Sequence, residues 1–456
     1  MRAMKLFRIF PSLLALAPIA AFGVHCSSEP TAAPNDGGTD GSVVDASPQC
    51  RPTTGPGTTH TGTTITASET WTAAGSPHIV TFSTIIEAAA TLTIEPCAVV
   101  QIAGVAGPQV RGKLLAKGTS ATPVLIEASD AAKPFGALYI DGGSLDLAYT
   151  TVRNGGAISA TTFGMVDLRG EGAKRREAFV ADHVTIAGSA TFGLSLRGDA
   201  AIAASSQNLS ISGATAGPVR ATATLAGSLP SGVYTGNGTD EIFVDSALPM
   251  DESTRYPARG VPYRISALTI GETAKDAPEV TWTVDPGVNI RVSSGGNVLL
   301  NTRRTTASPD VDTSNGTLIA VGTAAAPITF EGATATAGSW RGIVFRAAPT
   351  AASRLDYVTI AHAGGPSQAN SFHCDPAGKG AFSKNEDAAL ALYGAPASPF
   401  VTHSTFRDSA GDGIDHAYSA AMVDLLPSNT FSALAGCNQT RPRNADGSCP
   451  DAGYCP

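Results

Sequence analysis

The chain has 456 residues, of which 15% are charged and 6% aromatic, with 49 Gly and 30 Pro. Its formal net charge is −8, which makes nucleic acid and anionic membrane surfaces poor partners. Thr, Ala, Val and Ile in short runs between turn residues exclude a helical bundle and indicate many short strands.

At the N-terminus, Arg2, Lys5 and Arg8 precede an apolar run from Leu13 to Phe22 that Pro18 interrupts. About ten residues is too short to span a bilayer and matches a secretory signal, assigned to residues 1–25. Cys26 follows in GVHCSSEP, and a Cys at that place resembles the acylated N-terminal Cys of bacterial lipoproteins. Gly23 and His25 depart from that pattern, and simple cleavage after Gly23 is the alternative. Lipidation at Cys26 would attach the protein to a membrane. Residues 26–49 carry Glu29, Asp36, Asp40 and Asp45 with no Lys or Arg, so they read as a disordered acidic tether with a reach of roughly 25 Å. Loss of the signal leaves the mature chain at −11.

The body of the chain is written twice. GKLLAKGTSATPVLIE (Gly112 to Glu127) and GTLIAVGTAAAPITFE (Gly316 to Glu331) share eight of sixteen residues at an offset of 204. Their surroundings recur too: IEPCAVVQI answers VDPGVNIRV, FGALYI answers WRGIVF, and DHVTIAGSATFGLSL answers THSTFRDSAGDGIDH. Two half-arrays follow, 50–259 and 260–435, with a Cys-containing C-terminal cap at 436–456. Apolar triplets such as Val124/Ile126, Leu138/Ile140 and Val184/Ile186 place two side chains on one face of each short strand. Two residues cannot hold a layer alone, so the strands must stack coil upon coil in an all-β solenoid. Leu114, Val124, Ile126, Leu138, Ile140, Leu318, Ile328, Phe330, Ile343 and Phe345 are the expected core. The middle region, Ala214 to Arg259, keeps strand character, which favours one continuous array over two abutting ones.

The phrases I-E-P-x-x-V-V, G-x-L-x-A-x-G-T-x-x-x-P-I-x-F and W-x-G-I resemble right-handed parallel β-helix proteins of the pectin-lyase-like superfamily. The likeness is greatest to surface lipoproteins of that kind with no assigned function, and it covers about Thr64 to Ala435. It implies a right-handed parallel β-helix with a groove along one face. It does not select a function, since the same coil carries lyases, hydrolases, adhesins and inert stalks. Lyases of the superfamily use a base with Asp-bound calcium, and its hydrolases use Asp side chains on neighbouring coils. The hydrolase Asn-Thr-Asp and Gly-His-Gly runs are absent, and so is the lyase Trp-Ile-Asp-His run, of which Gly413-Ile414-Asp415-His416 is a partial echo.

The densest chemical cluster is RDSAGDGIDH: Arg407, Asp408, Asp412, Asp415 and His416. Asp408, Asp412 and Asp415 offer three hard carboxylates for calcium, and the five residues together offer a general acid and base. The competing reading is a turn between coils, in which Asp and Gly serve backbone bonds and positive φ. The corresponding first-half stretch, AGSATFGLSL, holds no acid. His183 and His403 occupy matching places in the two halves, which favours a shared structural role over catalysis. Asn208 and Asn429 read as turn caps.

Besides Cys26 there are six cysteines, an even set that reads as disulfides in an exported protein. Cys97 stands where the second half has Gly287, so a bridge to Cys50 would pin the entering chain over the first coil. Cys374 lies in an insert with no first-half cysteine and is paired with Cys437, which leaves Cys449–Cys455. The function expected is that of an exported, lipid-anchored protein at the outer membrane or cell surface, structural, adhesive or glycan-binding, with glycans or cell-envelope proteins as partners. The alternatives are a polysaccharide lyase or glycoside hydrolase, and a periplasmic or secreted location.

Overall fold

The computed structural model describes residue 50, residues 55–105, 107–158, 163–172, 174–304, 312–367, 374 and 386–456. The signal segment, Cys26 and the whole of the tether, 26–49, lie outside the described residues, whose body belongs to one compact unit, Ser47–Pro456.

The protein is all-β, with two short 3₁₀ turns at Ala73–Gly75 and Leu225–Ser228 as its helical content among the described residues. Almost every strand pairs in parallel with a strand about one circuit away in sequence. Thr64–Ile65, Ile85–Ile86, Gln109–Val110, Leu138–Asp141 and Gly164–Arg169 lie side by side in one sheet, and two strands of other ladders separate each from the next. The chain thus passes the same faces in turn, one coil per passage, an architecture compatible with a β-helix. A 14-stranded sheet runs from Thr64–Ile65 to Thr430–Leu434 and crosses the boundary between the half-arrays without a break, since Ile242–Asp245 pairs with Tyr263–Ile265 and that strand with Asn289–Val292. A 13-stranded sheet covers the first half, and two 5-stranded sheets replace it in the second.

The register explains why alternating residues suffice to build this. Leu138, Val166, Leu194, Val219, Ile242, Tyr263, Ile290, Phe330, Ile360, Phe406 and Phe431 are successive partners along one ladder. Apart from Phe431 on the last strand, all of them are at most 1% exposed. Each apolar pair therefore completes a column that its neighbours above and below extend, and burial of one such side chain contributes about 1.5–3 kcal/mol. All ten residues expected inside are buried.

The repeated segments match strand for strand, with one rotation between the halves. In the first half the long sheet takes the third strand of the unit, Leu138–Asp141, and Val124–Ala128 belongs to the neighbouring sheet. In the second half it takes Ile328–Gly332, the counterpart of Val124–Ala128, and the third strand, Ile343–Phe345, forms a face of its own. The αL positions match as well. Asn154 and His362 have φ 59° and 60°, His183 and His403 have 54° and 48°, and Gly188 and Asp408 have 69° and 55°. A corner that turns with positive φ recurs because the coil repeats, and Gly adopts it at least cost.

Cys50 is bonded to Cys97, with Cα atoms 5.1 Å apart. The other two bridges differ from the expected pairs Cys374–Cys437 and Cys449–Cys455. Cys437 is joined to Cys455 and Cys374 to Cys449, each with Cα atoms 5.6 Å apart. The cause is Asp412, which accepts the Cys437 N–H at 2.6 Å and the Tyr454 hydroxyl, so residues 437 and 454–455 gather over the last coil. Cys449 is then left for Cys374. In the unfolded chain the Cys50–Cys97 bond closes 47 residues of loop, and Cys50→Ser should cost about 2–4 kcal/mol in urea denaturation.

Candidate functional site

The cluster singled out in the sequence does not assemble as one site. Arg407 and Asp408 lie at the end of Thr405–Ser409, where they pair with each other at 2.6 Å in a half-exposed position, and Asp408 occupies an αL corner. Asp412, Asp415 and His416 lie on the next strand, Asp412–His416, every residue of which is buried. Among the described residues no three of His, Cys, Asp and Glu converge as metal ligands. Asp408 is therefore not brought together with Asp412 and Asp415 as a calcium cage would need.

Register assigns the buried members to structural positions. Asp412 and His416 continue the inward columns of Ala388 and Leu392, whereas Asp415 continues the outward position of Ala391. Residues 437–454 close over them. Besides the Cys437 and Tyr454 contacts of Asp412, Thr440 donates its hydroxyl to Asp415 at 2.9 Å and accepts the His416 N–H at 2.8 Å. His416 is 2% exposed, and among the described residues neither of its ring nitrogens has a hydrogen-bond partner. Burial drives its pKa down to about 4 against the opposing pull of Asp415 and Asp424. The arrangement caps the apolar columns with polar groups that the C-terminal segment bonds.

His183 and His403 share a geometry. Each stacks on the tyrosine one coil before it, Tyr149 at 4.4 Å and Tyr357 at 4.8 Å between centroids. Each Nδ1 meets a carboxylate, Asp182 at 2.7 Å and Asp356 at 2.8 Å. Asn208 bonds the remaining nitrogen of His183 at 3.0 Å, and Asn429 ties the last coil through Ser404 and Val401. These are corner ladders.

A concavity with the composition of a binding site lies on another face, over the strands Val298–Leu300, Ile343–Phe345 and Ala388–Leu392. Leu299, Val344 and Ala391 occupy one outward register line. They form the floor of an open groove of about 430 Å³. Arg341 and Arg346 stand at the two ends of the middle strand and line the same groove, as do Glu386 and Tyr393. Glu386 is 1% exposed and accepts the Tyr393 hydroxyl at 2.8 Å. Burial, then that bond, pushes the Tyr393 pKa up, so the phenol stays protonated at neutral pH. An apolar floor with a few convergent polar groups is the usual build of a ligand site.

None of the four polar residues was picked out from the sequence, although the repeat holds the signal. WRGIVFR aligns with FGALYID, so Arg341 and Arg346 replace Gly136 and Asp141, and outward Val344 replaces Tyr139. Val298-Leu299-Leu300 and Ala388-Ala389-Leu390-Ala391-Leu392 also abandon alternation, which marks strands with apolar side chains on both faces.

No family model matches the chain, and neither a curated protein nor a solved structure matches it.

Proposed function

We propose that the chain is an exported right-handed parallel β-helix, held to a membrane through Cys26 and displayed on a flexible tether, whose role is adhesive through glycan contact. The groove over Leu299, Val344 and Ala391 carries this reading, because it joins an aliphatic floor to side-chain donors and acceptors. Sugar rings present C–H faces to such a floor and hydroxyls to its rim. The strands beneath it pair on both sides, as Ile343–Phe345 does with Val298–Leu300 and Ala388–Leu392. They offer no open edge to a peptide backbone, so recognition there falls to side chains.

A glycan screen of the folded body, read for both binding and cleavage and run with and without calcium, tests the proposal. Binding without cleavage is the expected result. Calcium-dependent chain cleavage would favour a lyase, and calcium-independent hydrolysis a glycoside hydrolase. The anchor is tested apart from the groove. A fatty-acid analogue should label the protein in intact cells and Cys26→Ala should abolish the label, whereas a mature N-terminus at Val24 would establish simple secretion.

A further inference from the structure

We infer that His60 and His78, on the first two coils, form a chelating pair for a divalent transition metal of the Zn²⁺ or Cu²⁺ class. The site is separate from the groove and does not rest on the glycan reading.

The pair stands where apolar side chains are the rule. Thr58–His60, His78–Val80 and Val99–Ile102 are neighbouring strands, and their register places His60 over Val80 and His78 over Val100. Both imidazoles therefore continue inward columns, His78 only 4% exposed and His60 half-buried. Trp71 continues the column of Ile94. Its ring stacks on His60 at 4.1 Å and on His78 at 5.1 Å between centroids. An aromatic stack does not by itself call for nitrogen. SPHIVTFSTI answers VPYRISALTI in the second half, so the counterpart of His78 is Tyr263, whose ring stacks on Tyr256 at 4.6 Å. What His78 adds to such a stack is a lone pair.

The hydrogen bonds locate that lone pair. His78 Nε2 lies 2.9 Å from the Thr72 carbonyl oxygen, which can only accept, so that nitrogen carries the proton. The neutral ring then has a bare Nδ1, which faces His60 Nε2 at 3.1 Å. That separation suits a shared ion. Two nitrogens, each about 2.0–2.1 Å from a metal, stand about 2.9 Å apart at a right angle and about 3.3 Å apart at a tetrahedral one. His60 ligates as its other neutral tautomer, its proton moved from Nε2 to Nδ1, so no proton leaves the pair. The Thr72 carbonyl holds the His78 ring as such partners hold metal-bound histidines in general. Glu69, whose Oε1 accepts the Trp71 indole N–H at 2.9 Å, brings a negative charge to the same place. Among the described residues no third His, Cys, Asp or Glu joins them, so water fills the rest of the shell. Imidazole suits zinc and copper, whereas calcium takes oxygen ligands. Bound there, the ion ties the first strand to the next coil.

Calorimetric titration of the untagged mature chain with zinc chloride tests the pair, with Cys26→Ser present throughout so that no free thiol competes. One Zn²⁺ bound per chain is the expected result, and His60→Gln or His78→Gln should each weaken it about ten-fold or more. His403→Gln, which removes an exposed imidazole at a corner, should leave it unchanged. Cu²⁺ quenches a neighbouring indole, so it should dim the tryptophan emission of the parent chain and not of the two variants, since Trp282 and Trp340 lie in the second half. Hydrogen exchange is read on the parent chain and so covers a variant that folds poorly. Zn²⁺ should slow it at 58–60 and 72–80. No binding below about 1 mM Zn²⁺, binding lost with His403→Gln in place of the paired histidines, or slowed exchange away from those two segments would overturn the inference.

Discussion

Acidification from pH 6.5 to about 4 should remove about 3 kcal/mol of stability through His416 alone. The sign follows from the direction of the shift. In the unfolded chain the imidazole takes a proton near its ordinary pKa of 6.5, whereas burial in the folded chain holds it neutral down to about 4. Between those values the unfolded state binds the extra proton, so stability falls as the pH falls, and below about 4 this group contributes no further slope. Asp415, Asp424 and the Thr440 backbone face the imidazole from its own and neighbouring segments, and they only partly offset the cost of a buried cation. His416→Leu fits the column beneath it, since Leu392 is its partner on the preceding strand. Urea denaturation of both proteins at pH 7.5, 5.5 and 4.5 should show the variant losing less stability on acidification. His60, whose pKa burial and His78 also lower, titrates in both proteins and cancels in the difference. Parallel pH profiles would contradict the assignment.

Phe330→Ala should destabilise the second half by about 3–5 kcal/mol. The ring is 0% exposed, lies between Ile290 and Ile360 in the long ladder, and meets Trp282 edge-on at 5.8 Å between centroids. Its removal leaves a cavity that neighbours pinned by parallel pairing on both sides cannot fill. Thr329→Ala, one residue away on the outward face of the same strand, is the control and should change stability by less than about 1 kcal/mol. Because stacked coils interact chiefly with their neighbours, hydrogen exchange should quicken around 280–360 more than around 80–150. A uniform loss across the chain, or equal costs for the two substitutions, would count against a column-built core.

The sequence showed most clearly what depends on period. Val124/Ile126 and Ile328/Phe330 alternate because their strands bury one face, and the doubled phrase was visible because both halves build the same coil. It was silent where the coil stops. The C-terminal segment has no period, so nothing in it showed that Asp412 would collect Cys437 and Tyr454 together, and two of the three disulfides were paired incorrectly on that account. Asp412, Asp415 and His416 drew attention as acids and a base close in sequence. Alternation along a strand, however, sends neighbours to opposite faces, so Asp412 and His416 point inward and Asp415 outward. The rotation between the halves was equally hidden, because it depends on which strand joins the long sheet and not on any residue type. Arg341 and Arg346 were legible in principle as departures from Gly136 and Asp141, the same kind of difference that marked Cys97 against Gly287.

The adhesive role of the groove requires that a glycan sit over Leu299, Val344 and Ala391. Hydrogen exchange of the folded body, with and without a saturating oligosaccharide that the glycan screen shows to bind, reads this directly. Slowed exchange confined to 297–302, 341–346 and 388–393, lost on Val344→Glu, is the predicted result. Slowed exchange over the first half, or none at any segment, would contradict it.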